Sequence, residues 1–472
     1  MFNEDNTIEQ MLLNSLQQNG WKYIEAENLP RQHNDVMVEP MVKEALIRLN
    51  PVIAEEPSRA DEVIYKLRSL ILSTQALDLV TRNESFKKLI FEENSFPFGK
   101  DGRMVPIRFF GTMTPEDLAL NEYVVTNQWV YPTVESGKRL DIVLLINGFP
   151  VVIGELKTPV RDAISWLDAA GDIAAYEKSI PQMFVSNIFN FATEGKCFRY
   201  GSVKMPIGLW GPWHTPFHKT EGSLIDVKMS VEDMITPAKV VDIFQFFTIF
   251  ATDKKYQKYK IICRYQQYEG ANLLVDRVKA GYPKQGLIWH FQGSGKSLLM
   301  VFAAQKLRII PELKNPTVVI VDDRIDLETQ ITATFNASDI PNLVSLSTKE
   351  ELINFFKQDT RKIAITTIFR FGDVDGVLNE RDNIIVMVEI GYMSKYSFSD
   401  SIRDGATLPL NFEPIPVDLH VDRNKLDKEF DALTENLSEE DRAELSKRVN
   451  MKAIMYDKKR IRKVCEHIAN HF

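Results

Sequence analysis

The stretch from Arg139 to Lys157, RLDIVLLINGFPVVIGELK, constrains the fold most, because two apolar runs flank Asn147-Gly148. Asn-Gly between apolar runs is a strong signal for a β-hairpin, since both residues accept the positive φ angles of a tight turn. The stretch therefore predicts two antiparallel strands. Their register decides which polar side chains share a face.

Two registers are open for this hairpin. A two-residue loop pairs Asp141 with Gly154 and leaves Glu155 on the opposite face. A three-residue loop, residues 147–149, pairs Asp141 with Glu155 and places both carboxylates together. Glu155 and Lys157 share a face in either register, because side chains alternate along a strand.

Two converging carboxylates offer hard oxygen ligands for Mg²⁺, and an adjacent ammonium group can orient or deprotonate an attacking water. Asp141, Glu155 and Lys157 therefore form a candidate metal-dependent nuclease site. The alternative interpretation is an edge hairpin whose charges are simply solvated, since charged residues commonly flank strands.

A second signal is the segment 286–297, in which a short apolar run precedes FQGSGKS and a helical pattern follows. Strand, glycine loop and helix in this order are typical of a phosphate-binding loop, whose backbone N–H groups face a polyphosphate at the helix N-terminus. The lysine would contact the terminal phosphates and the last serine the Mg²⁺ of ATP. An ordinary glycine turn is the alternative. The candidate ATP-binding residues here are Gly293, Ser294, Gly295, Lys296 and Ser297.

Composition excludes several classes of protein. A chain of 472 residues with 44% hydrophobic and 26% charged residues is typical of a soluble globular protein with two or three domains. It has no signal peptide at its acidic start and no apolar run of membrane-spanning length, so we expect a cytoplasmic protein without a membrane partner. A net charge of −8 means that any DNA contact must be local. The three cysteines lack metal-ligand spacing and are interpreted as reduced thiols.

The first half of the chain predicts an α/β unit around a mixed sheet. We expect helices at residues 8–20, 41–49, 62–72, from Ala163 onward and at 231–250, and strands at 183–186 and 197–200 beside the hairpin. The first helix carries Glu9, which could reach a neighbouring metal site or serve as a surface or capping carboxylate.

The second half alternates strands and helices, which favours a parallel sheet. Strands are expected at residues 317–321, 362–367 and 383–388. The first of them ends in DDRIDLETQ, so its polar residues emerge at the carboxyl edge, where ligands bind in such sheets. After residue 416 the sequence becomes charged and helical, as in a solvated linker or bundle helix.

Together, LDIVLLINGFPVVIGELK, RYQQYEGA, GLIWHFQGSGKS, VVIVDDRIDLETQ, TTIFRF and YSFSDSIRDGATLP resemble the restriction (motor and nuclease) subunit of type I restriction-modification enzymes. The resemblance implies a PD-(D/E)xK nuclease domain with a mixed sheet, followed by a RecA-like superfamily 2 helicase lobe with a mainly parallel sheet. It implies ATP-dependent translocation of duplex DNA coupled to Mg²⁺-dependent cleavage. The implied cofactors are ATP and Mg²⁺, and the implied partners are double-stranded DNA and the modification (methyltransferase) and specificity subunits.

In the nuclease half, the resemblance makes Asp141, Glu155 and Lys157 catalytic, with the two carboxylates as Mg²⁺ ligands. The family's Q-x-x-x-Y element is present here as Asp172 to Tyr176, so a carboxylate replaces an amide. We interpret both of these residues, together with Glu9, as accessory to the nuclease site.

In the motor half, Lys296 and Ser297 match the phosphate loop in its looser helicase form. Gln267, or alternatively Gln266, matches the glutamine that recognises adenine. The other motor-motif residues are Arg324, Asp326, Gln330, Thr366, Thr367 and Glu389, the two threonines belonging to a DNA-facing motif. Where the resemblance calls for Asp-Glu-Ala-His, the chain has only Glu389-Ile-Gly, and little chain remains to complete a motor sheet. We therefore expect residues to be missing between 388 and 395.

The expected domains are a nuclease at residues 1–250, the first motor lobe at 251–416, and a helical linker with the start of the second lobe at 417–472. The expected enzyme is a type I site-specific deoxyribonuclease, although this chain alone should be a poor ATPase. The alternative is a DNA helicase or translocase whose N-terminal domain only binds DNA or partners. A small P-loop kinase is disfavoured, because it needs neither the RYQQY element nor a DNA track.

Overall fold

The structure, a computed structural model, describes residues 5–73, 78–112, 114–133, 137–157, 165–253, 255–290, 294–322, 342–371, 378–388 and 395–396. All of these residues belong to one unit, which spans residues 1–408. The helices are α1 (Asp5–Gln18), α2 (Glu39–Leu49), α3 (Pro51–Ala54), α4 (Arg59–Leu72), α5 (Leu79–Phe91), α6 (Pro115–Leu118), α7 (Trp166–Ser179), α8 (Leu224–Met234), α9 (Pro237–Phe246), α10 (Tyr265–Ala280), α11 (Lys296–Ile309) and α12 (Lys349–Lys357).

The strands are β1 (Lys22–Tyr23), β2 (Ser95–Phe96), β3 (Val105–Pro106), β4 (Tyr123–Tyr131), β5 (Lys138–Ile146), β6 (Phe149–Leu156), β7 (Phe189–Thr193), β8 (Phe198–Gly201), β9 (Thr248–Thr252), β10 (Lys258–Ile262), β11 (Trp289–His290), β12 (Thr317–Asp322), β13 (Leu343–Ser345), β14 (Ile363–Thr367), β15 (Ile384–Val388) and β16 (Lys395–Tyr396).

Six of these strands form a mixed sheet in the order β1-β4-β5-β6-β7-β8. The β1/β4 and β6/β7 pairs are parallel and the other pairs are antiparallel, which confirms the expected mixed α/β arrangement. The apolar runs of β5 and β6 are buried on both faces, so these strands do not alternate between polar and apolar residues. The charged residues near the ends of β5 and β6 are exceptions to this apolar character, and they therefore need polar or charged partners.

The hairpin between β5 and β6 combines the two expected registers. Ile146 pairs with Phe149, so the loop has two residues, with φ angles of 51° at Asn147 and 86° at Gly148. A bulge between Leu144 and Leu145 then shifts the pairing by one residue. Beyond the bulge, the register places Asp141 opposite Glu155, as the three-residue loop would have done.

The second half contains a sheet in the order β13-β14-β12-β15, in which all pairs are parallel. This confirms the expected parallel sheet, and the observed strands match the expected ones to within one residue at each end. The expected strand at 286–290 is confirmed only for Trp289–His290, which pairs in parallel with β16. The β9–β10 hairpin lies across the expected domain boundary at residue 250, and that boundary stays a prediction.

Two expected elements are wrong. Residues 183–186 are not a strand, because Pro181–Phe184 forms a 3-10 helix and the strand starts at Phe189. The Asn83 side chain donates hydrogen bonds to three carbonyl groups after this turn, which would otherwise need a neighbouring strand. The single helix at 231–250 is instead α8, α9 and β9, because Thr236 and Pro237 start a new helix.

The helices expected at 8–20, 41–49 and 62–72 are confirmed as α1, α2 and α4. Of the helix expected from Ala163, the structure describes Trp166–Ser179; residue 163 lies outside the described residues. Within the described ranges, we find no helix with the length and apolar character needed to cross a membrane. Residues 417–472, where a helical linker is expected, also lie outside them.

Candidate nuclease and nucleotide sites

Asp141 and Glu155 lie side by side at the ends of β5 and β6. The Leu156 N–H donates a hydrogen bond of 2.9 Å to Asp141 Oδ2, which holds that carboxylate against the neighbouring strand. Burial raises the pKa of Asp141, and burial together with the charge of Asp141 raises the pKa of Glu155 to about 8. The register shift at the bulge thus produces a close carboxylate pair.

The Glu155 carboxylate is buried, and one of its oxygens lacks a hydrogen-bond partner among the described residues. The residue is only 4% exposed, and its Oε2 atom has no hydrogen-bond partner among the described residues. A buried carboxylate oxygen without a partner is costly, and a bound cation is one way to satisfy it. The atoms of this pair that could bind a metal ion are all carboxylate oxygens, which is the ligand type that Mg²⁺ prefers.

Lys157 completes the site. Its Nζ atom lies 3.5 Å from Glu155 Oε1 and forms an ion pair with Asp172 on α7. Burial alone would lower the pKa of Lys157, but the Asp172 hydrogen bond and the charge of Glu155 outweigh it, so the pKa is raised. The carboxylate that replaces the family's amide therefore binds the site's ammonium group directly.

Tyr176 lies one helical turn after Asp172, so both side chains project from the same face of α7 towards the site. The Tyr176 hydroxyl is 3.3 Å from Glu155 Oε1 and 3.3 Å from the Arg139 carbonyl oxygen. Burial and the charge of Glu155 raise the pKa of Tyr176, which keeps the hydroxyl a donor. The structure thus places both expected accessory residues of α7 against the carboxylate pair.

Glu9, on α1, also faces the site. Its Oε1 atom accepts hydrogen bonds of 2.7 Å from Asn127 Nδ2 and 2.9 Å from Gln128 Nε2, and its charge contributes to the raised pKa of Asp141. We had not singled out Asn127 and Gln128 from the sequence. The available signal is the polar run Thr126-Asn127-Gln128, which interrupts the apolar strand YVVTNQWVY.

Within the described part of the chain, no group of three or more His, Cys, Asp or Glu side chains is arranged to hold a metal ion. Two carboxylates suffice for Mg²⁺, however, since this ion usually keeps several waters and takes one or two protein carboxylates plus phosphate oxygens of the substrate. The residues present therefore fit Mg²⁺ in a substrate-assisted site. They do not form a complete protein cage.

The described part of the phosphate loop is held by Gln267. Gly295 has a φ of 77° and precedes α11, whose first residues are Lys296 and Ser297. Gln267 Nε2 donates to the carbonyl oxygens of Ser294 and Gly295 at 3.3 and 3.1 Å, and its Oε1 accepts from a backbone N–H of its own helix start. Both ends of this amide contact protein groups, so a role in adenine recognition stays a prediction. The alternative candidate, Gln266, is buried.

Several expected site residues are not placed where the sequence suggested, or are not described. Thr366 and Thr367 are both fully buried, and the Thr366 hydroxyl donates to the Leu346 carbonyl oxygen at 3.1 Å. Their DNA-facing role stays a prediction, which this burial does not support. The residues that lie outside the described residues are Gly293, Arg324, Asp326, Gln330 and Glu389.

Comparison with known families agrees with this two-part organisation. A family model described as "Type I restriction enzyme R protein N terminus" matches residues 1–206, and one described as "SWI2/SNF2 ATPase" matches residues 266–391 and 389–443. The chain thus joins a restriction-enzyme R protein N-terminal region to a SWI2/SNF2-type ATPase segment.

Curated relatives name the family. The chain is 31% identical over 434 residues to the type I restriction enzyme HindI endonuclease subunit of Haemophilus influenzae, covering 86% of this chain and 40% of the relative. It is 25% identical over 555 aligned positions to a candidate type I restriction enzyme MjaIXP endonuclease subunit of Methanocaldococcus jannaschii, covering 100% of this chain and 52% of the relative. The chain is therefore similar to type I restriction enzyme endonuclease subunits over most of its own length, which confirms the resemblance. It spans about half the length of these relatives or less.

Proposed function

We propose that this chain contains the nuclease domain and the first motor lobe of a type I restriction endonuclease subunit. It would couple ATP-dependent translocation of double-stranded DNA to Mg²⁺-dependent cleavage, in a complex with modification and specificity subunits. The observation that carries the proposal is the convergence of Asp141 and Glu155 on one face, with Lys157 in contact with Glu155. This arrangement supports a PD-(D/E)xK nuclease site.

The side chains have complementary tasks in this proposal. Mg²⁺, when bound by Asp141 and Glu155, would polarise the scissile phosphate and lower the pKa of an attacking water. Lys157 would orient that water and offset charge on the phosphate, while Asp172 and Tyr176 hold Lys157 and Glu155 in place. The buried, unpartnered Glu155 oxygen supports a cation at this position.

The test uses the assembled enzyme with its modification and specificity subunits. Asp141→Ala or Lys157→Ala should abolish DNA cleavage while ATP hydrolysis persists, because both residues belong to the six-stranded sheet, whereas the phosphate loop directly precedes α11. Gln10→Leu, on the exposed part of α1, serves as a matched control that should cleave normally. Cleavage that survives both substitutions would favour the alternative, in which the N-terminal domain only binds DNA or partners.

The motor part of the proposal rests on the strand, glycine loop and α11, and on the family match to a SWI2/SNF2 ATPase. ATP would bind with its phosphates at the N-terminus of α11, near Lys296 and Ser297. Gln267 donates hydrogen bonds to two carbonyl groups of this loop, so these hydrogen bonds would change when ATP occupies the loop.

We also propose that the chain lacks residues near 389–391. The ATPase family match is divided into two pieces that meet at these residues. The alignment with the Methanocaldococcus relative runs over 555 positions although this chain has 472 residues, so the relative contains residues within the aligned span that this chain lacks. Sequencing the gene across this region tests the proposal, and an uninterrupted reading frame that encodes Glu389-Ile-Gly would count against a missing coding segment.

A further inference from the structure

Gln128 has an unusual backbone for a residue in a strand. It has a φ of 52° within β4, whereas a residue other than glycine rarely adopts a positive φ in a strand. The β4/β5 register pairs Asn127 with Ile142 and Trp129 with Leu140, so Gln128 occupies the position opposite Asp141. Strained residues of this kind are found preferentially at functional sites.

The strained backbone has a geometric consequence. In a regular strand, the side chains of two consecutive residues point to opposite faces of the sheet. Here, Asn127 and Gln128 both donate to the same oxygen of Glu9, at 2.7 and 2.9 Å. The positive φ of Gln128 is what allows two adjacent amides to converge on one carboxylate oxygen.

A further contact fixes the orientation of one amide. The Tyr23 hydroxyl donates to Asn127 Oδ1 at 2.8 Å, which leaves the Asn127 Nδ2 group facing Glu9. Tyr23 belongs to β1, so two strands and helix α1 all contribute to holding this carboxylate. Glu9 Oε1 thus accepts two hydrogen bonds, and Gln128, one of the two donors, lies opposite Asp141 in the β4/β5 register.

We propose that Gln128 is a positioning residue whose backbone conformation and amide hold the Glu9 carboxylate near Asp141, where its negative charge strengthens cation binding by the Asp141–Glu155 pair. This inference rests on the proposed nuclease function. It explains why the fold retains a strained residue within β4.

The test measures cation binding rather than cleavage. Mn²⁺ takes the same oxygen ligands as Mg²⁺ and serves as the probe, titrated calorimetrically into the 472-residue chain. Asp141→Asn should abolish the binding that belongs to this site. Gln128→Leu should weaken it by roughly 10- to 100-fold, the range expected when a side chain that supports a metal site from outside its ligands is lost. Gln10→Leu is the control and should bind Mn²⁺ as the wild type does.

Two further variants separate positioning from general stability. Gln128→Gly removes the amide but accepts the positive φ, so it should weaken Mn²⁺ binding without lowering the melting temperature. In a Glu9→Gln background, Gln128→Leu should change the Mn²⁺ dissociation constant less than about twofold, because both changes remove the same interaction.

The outcomes are distinguishable. If Mn²⁺ binding depends on Asp141 but is unchanged in both Gln128 variants, this inference is overturned and the proposed nuclease site is not. The inference would also be overturned if the losses of Mn²⁺ binding free energy caused by Glu9→Gln and Gln128→Leu add in full in the double variant. Absence of any Asp141-dependent Mn²⁺ binding to the wild type would remove the proposed nuclease site and this inference with it.

Discussion

Glu155→Gln should stabilise the cation-free protein at alkaline pH. Burial and the charge of Asp141 raise the pKa of Glu155 from 4.5 to about 8. The folded state therefore binds the Glu155 proton more tightly than the unfolded chain, and stability falls as the pH rises from about 4.5 to about 8. This is the reverse of the usual carboxylate, which stabilises the fold when it ionises.

The magnitude follows from the pKa shift. One pKa unit corresponds to about 1.4 kcal/mol, so the shift to about 8 costs about 4 kcal/mol at pH 8. Small movements and entry of water relieve part of this cost. We expect Glu155→Gln to exceed the wild type in unfolding free energy by about 2–4 kcal/mol at pH 8, and by less than about 1 kcal/mol at pH 5, where Glu155 is protonated in the fold.

The assay is urea unfolding in EDTA from pH 5 to pH 8, followed by the fluorescence of tryptophan, since Trp129 is fully buried in β4. Asp141→Asn is the matched control and should reduce the pH dependence, because it removes the neighbouring charge that helps to raise the pKa of Glu155. Glu177, whose buried carboxylate also has a pKa raised to about 7, titrates in both proteins and cancels in the difference. An equal advantage of Glu155→Gln at pH 5 and pH 8 would refute this reasoning.

Three other predictions concern the motor half. Lys296→Ala should remove ATP-dependent cleavage by the assembled enzyme, because the variant lacks the ammonium group that offsets the charge of the terminal phosphates, and translocation would be lost. Unchanged cleavage would contradict the motor assignment. Gly295→Ala should weaken nucleotide binding by the chain, measured by calorimetry, since an added Cβ would lie 2.2 Å from Gln267 Nε2 at a φ of 77°. The chain alone should hydrolyse ATP slowly with or without duplex DNA, because loss of an arginine finger from a second lobe costs on the order of 10³- to 10⁵-fold in rate. Steady-state turnover of tens per second would show that a second lobe is not required.

The hairpin shows how far a single sequence can determine a site. Asn147-Gly148 predicts the turn, and the structure confirms its two-residue loop. The decisive bulge between Leu144 and Leu145 was not predictable, because the residues on both sides of it are equally apolar and equally buried. Their packing determines the shift, and packing depends on residues far away in the sequence.

The wrong strand and helix assignments have a similar origin. Residues 183–186 are apolar enough for a strand, but long-range hydrogen bonds from Asn83 stabilise a turn there. Residues 231–250 are rich in apolar residues, and Pro237 was the available signal that one helix ends and another begins. Short apolar runs do not distinguish buried helix from buried strand by periodicity alone.

Glu9 illustrates the opposite case, in which a candidate residue is predictable but its supporting residues are not. Its partners Asn127 and Gln128 are 118 and 119 positions away, and a positive φ inside a strand leaves no sequence signature unless the residue is glycine. The polar pair in an apolar strand was an available signal, but it was not used in the sequence analysis. Only the fold identifies the carboxylate that this pair holds.

The charge balance of the site connects its stability with its chemistry. Asp141, Glu155 and Asp172 surround one ammonium group, that of Lys157. Burial and the charge of Glu9 raise the pKa of Asp141, and burial and the charge of Asp141 raise the pKa of Glu155. An apolar core at this position would be more stable. The fold instead maintains an excess of negative charge that a divalent cation would offset. The residues that destabilise the cation-free protein are therefore the ones on which cation binding depends. Substitutions that neutralise them should raise the stability of the protein and lower its activity.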